Sequence, residues 1–576
     1  MKVSDYVANF LESQGITCVF ELAGGMITHL LDSLYHKEKI KIISMHHEQS
    51  AAFAADVSGR VTGLPGVALA TSGPGATNLL TGIASCYFDS SPAIFITGQV
   101  NTHEQKGSKN IRQLGFQETD IVNMALPITK KTFCVTSSED VPRIFEEAFQ
   151  LAISGRPGPV LIDLPMDIQR GELNSYSFEK IKKSANNTVY NIEKNNLDRI
   201  IEKLIQAKRP LILAGRGLRS GFVVDEFVKF VEKINIPVVS SLLAVDVLPF
   251  NHPLRVGFIG SYGNRWANIA LGTCDCLLVL GSRLDIRQTG ADVDSFSKDK
   301  TIIHIDIEKA EISNRIETEI GLNADLNAFL TQINNVIAGI QFPLKKEWFN
   351  IITELRLKWP DIKELKNIEG INPNIFVHKL SEKAKKVRYF IADVGNHQMW
   401  AAQSLELSAK QLFITSGGMG AMGFALPAAI GAAIASNNSS TVIIAGDGGF
   451  QVNIQELQTV VRNKLPIKII ILNNKCLGMI RQFQDSYFES RYQSTYWGYS
   501  APDFEQVAKS YEIDSISIIN EDEIEKALSW LFTDINKPQL LQVYIDTYTN
   551  AYPKLAFGRP IIEMEPLAKP LDMEGT

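Results

Sequence analysis

The sequence predicts an α/β protein built from three doubly wound parallel-sheet domains. Helix-like stretches alternate with short apolar stretches along the 576 residues, and near-continuous apolar strands are typical of parallel sheets covered on both faces. The chain is too long for one core, since domains usually run to about 100–200 residues. Two polar segments, 171–192 and 347–374, act as boundaries. The predicted domains cover residues 1–170, 190–340 and 371–550, followed by a C-terminal tail at 551–576.

The first domain begins with a helical stretch, "VSDYVANFLESQG", that ends at Gly15. Five strand candidates follow, separated by further helical patterns, one of which is the Ala-rich helix from Glu48. The candidates are "CVFEL", "IKIISM", "GVALATSG", "PAIFITG" and "PVLIDLP".

The second and third domains repeat the same alternation, with four strand candidates each. In the second domain they are "RPLILAGRG", "IPVVSS", "CDCLLVLGSRLD" and "KTIIHIDIE". In the third they are "RYFIADVG", "STVIIAGDGG", "IKIIILNN" and "PQLLQVYID".

Composition and charge narrow the class of protein. A net charge of −6 argues against a nucleic-acid or polybasic membrane partner. There is no run of 18 apolar residues, and the N-terminal helix carries acidic residues instead of an apolar signal region. The six cysteines are scattered, which is typical of reduced thiols. We therefore expect a cytoplasmic protein.

The segment 446–474 carries the strongest chemical signal. Asp447 follows one predicted strand and Asn474 follows the next, and the carboxyl ends of parallel strands meet at the ligand-binding edge of a sheet. A carboxylate and an amide oxygen suit Mg²⁺ with phosphate oxygens, and Gly446, Gly448 and Gly449 let the backbone approach those phosphates. The alternative is an Asx-turn beside an unrelated Asn-Asn turn.

The stretch "MHHEQ" suggests a second metal site, formed by His46, His47 and Glu48. Adjacent side chains point in different directions on a strand or at a helix start, so the three cannot easily share one ion. We interpret the two histidines as structural or as loosely lining a site.

Eight stretches together resemble the thiamine-diphosphate (ThDP)-dependent decarboxylase and carboligase superfamily, and most closely its acetolactate (acetohydroxyacid) synthase branch. They are "VFELAGG", "HHEQSAAFAAD", "ATSGPGATNLLTGIA", "ITGQV", "GFQETDIV", "DVGNHQMWAAQ", "SGGMGAMGFALPAAIGA" and the GDG…NN segment. The resemblance implies pyrimidine-binding, central and diphosphate-binding domains. It also implies an enzyme that decarboxylates pyruvate and transfers the two-carbon unit to a carbonyl acceptor.

The resemblance assigns roles around the cofactor. Glu48 would donate a hydrogen bond to N1′ of the aminopyrimidine. Asp447, Asn474 and the carbonyl of Cys476 would hold Mg²⁺. The carbonyl of Gly420 would accept from the 4′-amino group, and Met422 would wedge the two rings into a V. In "SGPGATN", Pro74 and Asn78 would shape the pyrimidine side.

The resemblance also implies residues around the reacting centre. Gln99 and Gln117 match catalytic positions. Phe483 stands where biosynthetic acetolactate synthases usually have a Trp that helps to select 2-ketobutyrate, so the resemblance does not imply that preference here and implies a wider pocket. The predicted substrate-lining residues are Gly25, Phe116, Lys130, Arg287, Met479 and Phe483.

The central domain has counterparts of the stretches that bind FAD in acetolactate synthases. These are "AGRG", "GFIGSYG", "LGSRLDIR" and "HIDIE", each ending a strand with glycine or a polar pair. None is a complete dinucleotide fingerprint, and a central domain without nucleotide is the alternative. The flavin-binding candidates are Gly215, Arg216, Gly260, Arg283 and Asp306.

The loop 101–114, "NTHEQKGSKNIRQL", is longer than the corresponding synthase loop and carries His103, Lys106, Lys109 and Arg112. It is either a solvated basic loop or a cationic mouth for a larger anionic acceptor, such as a nucleotide-linked keto sugar. A decarboxylase that releases free aldehyde, and a cofactor-binding subunit without turnover, are further alternatives. The resemblance implies a site shared between two subunits. We therefore expect a homodimer as the smallest assembly and a homotetramer as the larger one.

Overall fold

The computed structural model describes residues 1–174, 176, 178, 180–181, 192–366 and 368–571. It contains three six-stranded sheets, all parallel and flanked by helices, which confirms the predicted fold class. The boundary predicted at 171–192 lies largely outside the described residues.

The first sheet has the order β2-β1-β3-β4-β6-β5. Its strands are β1 (Cys18–Leu22), β2 (Lys41–Ser44), β3 (Gly66–Ala70), β4 (Ala93–Gln99), β5 (Lys131–Cys134) and β6 (Pro159–Pro165). Its helices are α1 (Val3–Ser13), α2 (Thr28–Tyr35), α3 (Glu48–Thr62), α4 (Pro74–Asn78), α5 (Leu80–Asp89), α6 (Ile121–Ala125), α7 (Val141–Ile153) and α8 (Met166–Arg170).

The second sheet has the order β12-β11-β10-β7-β8-β9. Its strands are β7 (Pro210–Ala214), β8 (Val238–Ser240), β9 (Arg255–Phe258), β10 (Cys276–Leu280), β11 (Thr301–Asp306) and β12 (Ile320–Asn323). Its helices are α9 (Lys194–Gln206), α10 (Gly217–Ser220), α11 (Val224–Ile234), α12 (Arg265–Thr273), α13 (Ile286–Thr289), α14 (Val293–Ser297), α15 (Leu326–Ile337) and α16 (Lys346–Lys358).

The third sheet has the order β14-β13-β15-β16-β18-β17. Its strands are β13 (Tyr389–Ala392), β14 (Leu412–Thr415), β15 (Thr441–Gly446), β16 (Ile467–Asn473), β17 (Asp514–Ile518) and β18 (Gln539–Tyr544). Its helices are α17 (Pro373–Lys383), α18 (Asn396–Ser404), α19 (Ala425–Ala435), α20 (Asp447–Val452), α21 (Leu457–Arg462), α22 (Gly478–Tyr487), α23 (Phe504–Ser510) and α24 (Ile524–Leu531).

Five strands were absent from the predicted set, and all five lie at sheet edges: β5, β9, β12, β14 and β17. An edge strand pairs on one side only and keeps part of its surface in solvent, so its sequence lacks a continuous apolar run. Three of the five, β5, β12 and β17, mix buried with exposed residues, and β9 is a buried strand of only four residues. The central strands β3, β4, β6, β7, β15 and β16 are buried throughout.

The helices α3 and α19 join the first and third domains. Both are rich in alanine, and their residues share one apolar core. A Cβ added at Gly431 of α19 would lie 2.2 Å from the carbonyl oxygen of Ala54 in α3, so only glycine allows this approach. The close packing sets the position of the N-terminus of α3, where Glu48 lies.

Parts of the second predicted boundary and of the C-terminal tail also form regular structure. In the second predicted boundary, α16 packs on the central domain, where the buried Trp348 donates to the carbonyl of Pro210 at 3.0 Å. The tail forms the short antiparallel pair Lys554–Leu555 and Met564–Glu565, and Leu555 N–H donates to Ser261. Of the helices in the described part of the chain, none has the length and apolar character needed to cross a bilayer.

Candidate active site

Asp447 and Asn474 lie together at the carboxyl edge of the third sheet. Asp447 is the first residue of α20, directly after β15, and Asn474 follows the neighbouring strand β16. Both side chains are buried. Burial raises the pKa of Asp447 to about 6, although the Tyr499 hydroxyl, which donates to Oδ2 at 2.8 Å, and nearby backbone N–H groups act in the opposite direction.

The Asn474 amide contacts two oxygens at once. One of its terminal atoms lies 2.8 Å from the carbonyl oxygen of Cys476 and 3.2 Å from Oδ1 of Asp447. Without a bound cation, the amide nitrogen is the atom expected between these two oxygens, because it can donate a hydrogen bond to both. With the amide turned over, three oxygens converge instead, and such a set suits a hard divalent cation. The described residues contain no group of three or more His, Cys, Asp or Glu that could hold a metal ion.

Two buried polar atoms at the same edge have no hydrogen-bond partner among the described residues. They are Nε2 of His397 and Oδ1 of Asn396, both at the start of α18 after β13. Burial lowers the pKa of His397 to about 3, so the ring is neutral at physiological pH. Since buried polar groups in proteins are nearly always paired, these two atoms leave capacity for a polar ligand.

The loop 416–424 follows β14 and carries Gly420 and Met422. Asp393 accepts a hydrogen bond from Gly423 N–H at 3.0 Å, which ties the loop to the end of β13. Gly420 has φ +64° and open space around it, a conformation that glycine adopts without strain. Met422 is 37% exposed, and its Cε would lie 3.4 Å from a Cβ at Gly448. The loop therefore presents an exposed thioether side chain above the Gly446–Gly449 turn.

Glu48, Asn78 and Pro74 come together in the first domain. Glu48 is buried at the start of α3, and its Oε2 accepts from Asn78 Nδ2 at 2.9 Å. Its Oε1 lies beside Gly75, where an added Cβ would be 3.3 Å away, and makes no hydrogen bond to any described residue. Pro74 and Asn78 are the first and last residues of α4. One oxygen of this carboxyl group is thus anchored and the other is available.

The neighbouring histidines make local contacts. His47 is the N-cap of α3, where its Nδ1 accepts from Gln49 N–H at 3.0 Å. The backbone N–H of His46 donates to Glu456 Oε1 at 2.9 Å. Both residues therefore position the start of the helix that carries Glu48.

Asn453 links this helix start to the third domain of the same chain. Its Nδ2 donates to Gln49 Oε1 at 3.0 Å, and its Oδ1 accepts from Ser50 Oγ at 3.0 Å. The same Nδ2 donates to the carbonyl of Gly423 at 2.8 Å. The side-chain amide of Asn453 therefore hydrogen-bonds to both the start of α3 and the loop 416–424.

The two predicted catalytic amides have contrasting surroundings. Gln99 is buried at the end of β4, with its Nε2 donating to Thr119 O at 2.9 Å and to Asp163 Oδ2 at 3.0 Å. Its Oε1 accepts from Val100 N–H, so this amide is satisfied within the chain. Gln117 has φ +65° and packs against Gly73, where an added Cβ would be 2.9 Å from the Gln117 Cβ.

Lys130 contacts backbone carbonyls at the end of a helix. Its ammonium group donates to the carbonyls of Leu151 at 2.5 Å and Ser154 at 2.6 Å, near the C-terminal end of α7. Burial lowers its pKa to about 8. The side chain caps this helix, where a cation is favoured by the helix dipole, and its contact with substrate stays a prediction.

The other predicted substrate residues lie in four elements. Gly25 begins a 3₁₀ turn beside open space, and Phe116 is exposed in the loop after β4. On α22, Met479 packs against an apolar core that lies mostly in the third domain, and the Phe483 ring lies 4.8 Å from that of Tyr487. Arg287 is on α13.

A cleft of about 1260 Å³, part of it open to solvent, lies where the three domains meet. Arg216, Gly260, Arg283 and Asp306 line it at the carboxyl edge of the second sheet, and Arg287 lines it as well. These four flavin-binding candidates are therefore brought together. The fifth, Gly215, precedes Arg216 in the chain, and a Cβ there would lie 2.1 Å from the Gly281 carbonyl oxygen. The other domains contribute Phe88, Arg156, Met399 and Gly417 to its walls.

Charged groups connect this cleft with the loop 416–424. Burial lowers the pKa of Arg216 to about 10, which leaves it charged, and its Nε donates to the Asp89 carbonyl at 3.3 Å. The Asp89 carboxylate accepts from the N–H groups of Gly417 and Gly418 at 3.0 and 2.7 Å. Burial raises the pKa of Asp306 to about 6.

Sequence reasoning did not assign roles to His397, Asn396, Asn453 or Tyr499. For the first two a signal exists, because "GNH" follows β13 as "GDGG" follows β15, at the same sheet edge. Tyr499 is 52 residues from its partner Asp447, in a loop whose path no local pattern specifies.

Three domain families match the chain in order. The thiamine pyrophosphate enzyme N-terminal TPP binding domain matches residues 1–124, the central domain matches 197–333, and the C-terminal TPP binding domain matches 393–543. The GDG turn, the Asn474 amide and the loop 416–424 all lie inside the third match.

Curated relatives match over nearly the full length. A probable acetolactate synthase large subunit of Methanocaldococcus jannaschii is 37% identical, covering 95% of this chain and 92% of the relative. The acetolactate synthase isozyme 2 large subunit of Escherichia coli is 37% identical, covering 98% and 99%. The acetolactate synthase large subunit of Lactococcus lactis is 36% identical, covering 97% and 95%. The chain therefore belongs to the acetolactate synthase large-subunit family of thiamine pyrophosphate enzymes, and it is a ThDP-dependent enzyme of that type.

Proposed function

We propose that the protein decarboxylates pyruvate and joins the remaining two-carbon unit to a carbonyl acceptor. The observation that carries this proposal is the convergence of Asp447, Asn474 and the Cys476 carbonyl at one sheet edge. Beside them lie the buried polar atoms of Asn396 and His397 that no described residue pairs. This arrangement suits a diphosphate and its cation. Bound ThDP supplies the electron sink for loss of CO₂ from a 2-keto acid.

Mg²⁺ is the cation that these residues would hold. One carboxylate oxygen, one amide oxygen and one backbone carbonyl offer hard ligands and leave further positions for phosphate oxygens. Gly448 and Gly449 lie in the turn above, closely packed against Leu477 and Asp393. The metal would neutralise the diphosphate, and the N-terminus of α20 would add backbone N–H donors.

Glu48 would serve the other end of the cofactor. Asn78 holds Oε2, which leaves Oε1 to share a proton with a ring nitrogen in a site from which water is largely excluded. Pro74 and Asn78 would shape that side of the site. Gly420, through its carbonyl, and Met422, through its exposed side chain, would hold the middle of the cofactor.

We propose that two chains complete each site, with Glu48 from one chain and Asp447 and Asn474 from its partner. The exposure of apolar side chains in the two domains concerned supports this arrangement. Met419 and Met422 are exposed in the loop 416–424, and Phe116 and Met124 are exposed in the first domain. A homodimer is the smallest such assembly, and a tetramer would pair two dimers.

FAD would occupy the cleft at the edge of the second sheet. The buried Arg216 suits a diphosphate, and Asp306 stands at the end of β11, where acidic residues of dinucleotide-binding folds contact ribose hydroxyls. Decarboxylation followed by carboligation needs no net redox change, so the flavin would have a structural role. The six unpaired cysteines, five of them buried, support a cytoplasmic location.

The acceptor is a second keto acid or a nucleotide-linked keto sugar. The loop 101–114 supports the sugar, because its basic residues could contact the anionic nucleotide part of such an acceptor. The Glu118 carboxylate closes this loop by accepting from the N–H groups of Lys106 at 2.6 Å and Leu114 at 2.7 Å. Within this closed loop Lys109 and Arg112 are exposed.

Mass spectrometry of products from pyruvate, alone and with 2-ketobutyrate or nucleotide-linked keto sugars, tests the function. Acetolactate or a branched sugar is the expected product. Free acetaldehyde as the sole product would make the protein a decarboxylase, and no turnover with bound cofactor would make it a binding subunit.

A further inference from the structure

The Tyr499 hydroxyl contacts the carboxylate that faces the proposed cation. It donates to Oδ2 of Asp447 at 2.8 Å, while Oδ1 of the same group faces the Asn474 amide at 3.2 Å. The two carboxylate oxygens therefore have separate partners. One is taken by the tyrosine, and the other is turned toward Asn474 and the Cys476 carbonyl.

The loop that carries Tyr499 is anchored to the same sheet edge. Leu477, the residue directly after Cys476, donates its N–H to the Thr495 carbonyl at 2.9 Å. The Thr495 hydroxyl donates to the Gln484 side chain on α22. The N–H of Tyr499 donates to the Tyr496 carbonyl at 3.3 Å. These bonds connect the position of Tyr499 with that of Cys476.

The hydroxyl is also held from the side of α20. Gln451 Nε2 lies 3.4 Å from the Tyr499 hydroxyl oxygen and 3.1 Å from the Asp447 carbonyl oxygen, so it bridges the two residues. A Cβ at Gly448 would lie 3.3 Å from the hydroxyl. The phenol thus lies directly over the Gly446–Gly449 turn. The closest acceptor for its proton is the Asp447 carboxylate.

We propose that Tyr499 is a positioning residue for the divalent cation, acting through Asp447. A hydrogen bond to Oδ2 stops rotation of the carboxylate and leaves Oδ1 as the single oxygen directed at the metal. Partners of this kind typically change metal affinity by about 10- to 100-fold when removed. The inference rests on the proposed Mg²⁺ site and adds a residue outside the three ligands.

The variant that tests it is Tyr499→Phe, which keeps the ring and removes only the hydroxyl. The matched control is Tyr496→Phe in the same loop, because the Tyr496 side chain is exposed and packs on Tyr548. Mg²⁺ is titrated into each protein at saturating ThDP, with cofactor binding followed by quenching of tryptophan fluorescence. A parallel titration with Mn²⁺ follows the free ion by electron paramagnetic resonance, and thermal unfolding is recorded without cofactors.

We expect Y499F to bind Mg²⁺ and Mn²⁺ about 10- to 100-fold more weakly, to melt like wild type without cofactors, and to regain wild-type kcat at high Mg²⁺. Y496F should match wild type throughout. Unchanged metal affinity in Y499F would overturn the proposal, as would a lower melting temperature of the cofactor-free variant that accounts for the loss. A wild-type protein whose ThDP binding ignores Mg²⁺ would instead overturn the proposed metal site.

Discussion

One terminal atom of the Asn474 amide lies 3.2 Å from Oδ1 of Asp447, although the two residues are 27 positions apart in the chain. The parallel register of β15 and β16 makes this possible, since Gly446 is paired with Leu472 and both strands end at the same edge. Without a bound cation, a hydrogen bond joins the two side chains. With a cation bound, the amide would rotate so that its oxygen faces the metal in place of this hydrogen bond. The strand register of the third sheet therefore places the two proposed metal ligands side by side.

Replacing Asp447 by alanine should abolish Mg²⁺-dependent binding of ThDP, because the variant loses the only carboxylate among the three proposed ligands. Isothermal titration of ThDP with and without Mg²⁺ measures the effect. Glu489→Gln, which changes an exposed carboxylate of the same domain, should bind like wild type. Removal of the metal by a chelator should release ThDP from the wild-type protein. Equal ThDP affinity of D447A and wild type would contradict the assignment.

Replacing Glu48 by glutamine should leave ThDP bound but lower kcat by about 10²- to 10⁴-fold, the range typical of a general acid–base group. The amide keeps the shape of the side chain and its contact with Asn78, but it cannot exchange the proton. Stopped-flow measurement of pyruvate consumption at saturating ThDP gives the rate. An unchanged kcat would refute the role of this carboxyl group.

Mixing E48Q with D447A should restore activity if each site is shared between two chains. Half of randomly mixed dimers are heterodimers, and one of the two sites in each heterodimer has both wild-type residues, so about one quarter of wild-type activity returns. The measurement is activity after joint denaturation and refolding, with each variant refolded alone as the control. A mixture as inactive as its components would place Glu48 and Asp447 of one chain in one site.

The purified protein should be yellow, with flavin released on denaturation. Arg283→Ala should lower the flavin content per chain, because this side chain lines the cleft. Arg209→Ala, on the exposed surface of the same domain, should not. Added FAD should also raise the melting temperature of the wild type but not of R283A, since a ligand stabilises the state that binds it. A colourless protein with no thermal response to FAD would rule out this cofactor.

His378 should make stability depend on pH. Burial lowers its pKa, but the hydrogen bonds and charges of Asp361 and Glu406, each 2.8 Å from a ring nitrogen, together raise it above the ordinary value. Because the folded-state pKa is raised, the stabilisation is fully present below about pH 6.5 and is lost as pH rises through the folded-state value. The melting temperature of His378→Gln should therefore fall further below wild type at pH 6 than at pH 9. His36→Gln, an exposed control, should show no such trend, and a larger deficit at pH 9 would contradict the prediction.

Much of the fold follows from local patterns in the sequence. Apolar runs mark the buried central strands, and the alternation with helices leaves a parallel sheet as the natural solution. The polar residues that end β15 and β16 are then brought to one edge by the topology alone, so Asp447 and Asn474 were predictable as a pair. Edge strands such as β5 and β17 were not predicted, because their partly exposed surfaces carry no continuous apolar signal.

The sequence by itself determined the class of fold, the family and the strand ends at which the chemistry is placed, because periodicity and motif spacing are local properties. Only the tertiary structure decided that Lys130 caps α7, that Nε2 of His397 has no partner among the described residues, that Asn453 holds the start of α3, and that Tyr499 donates to Asp447. Each of these depends on loops and helix ends meeting across long stretches of chain. Such contacts are fixed by the packing of the whole molecule, and no local pattern encodes them.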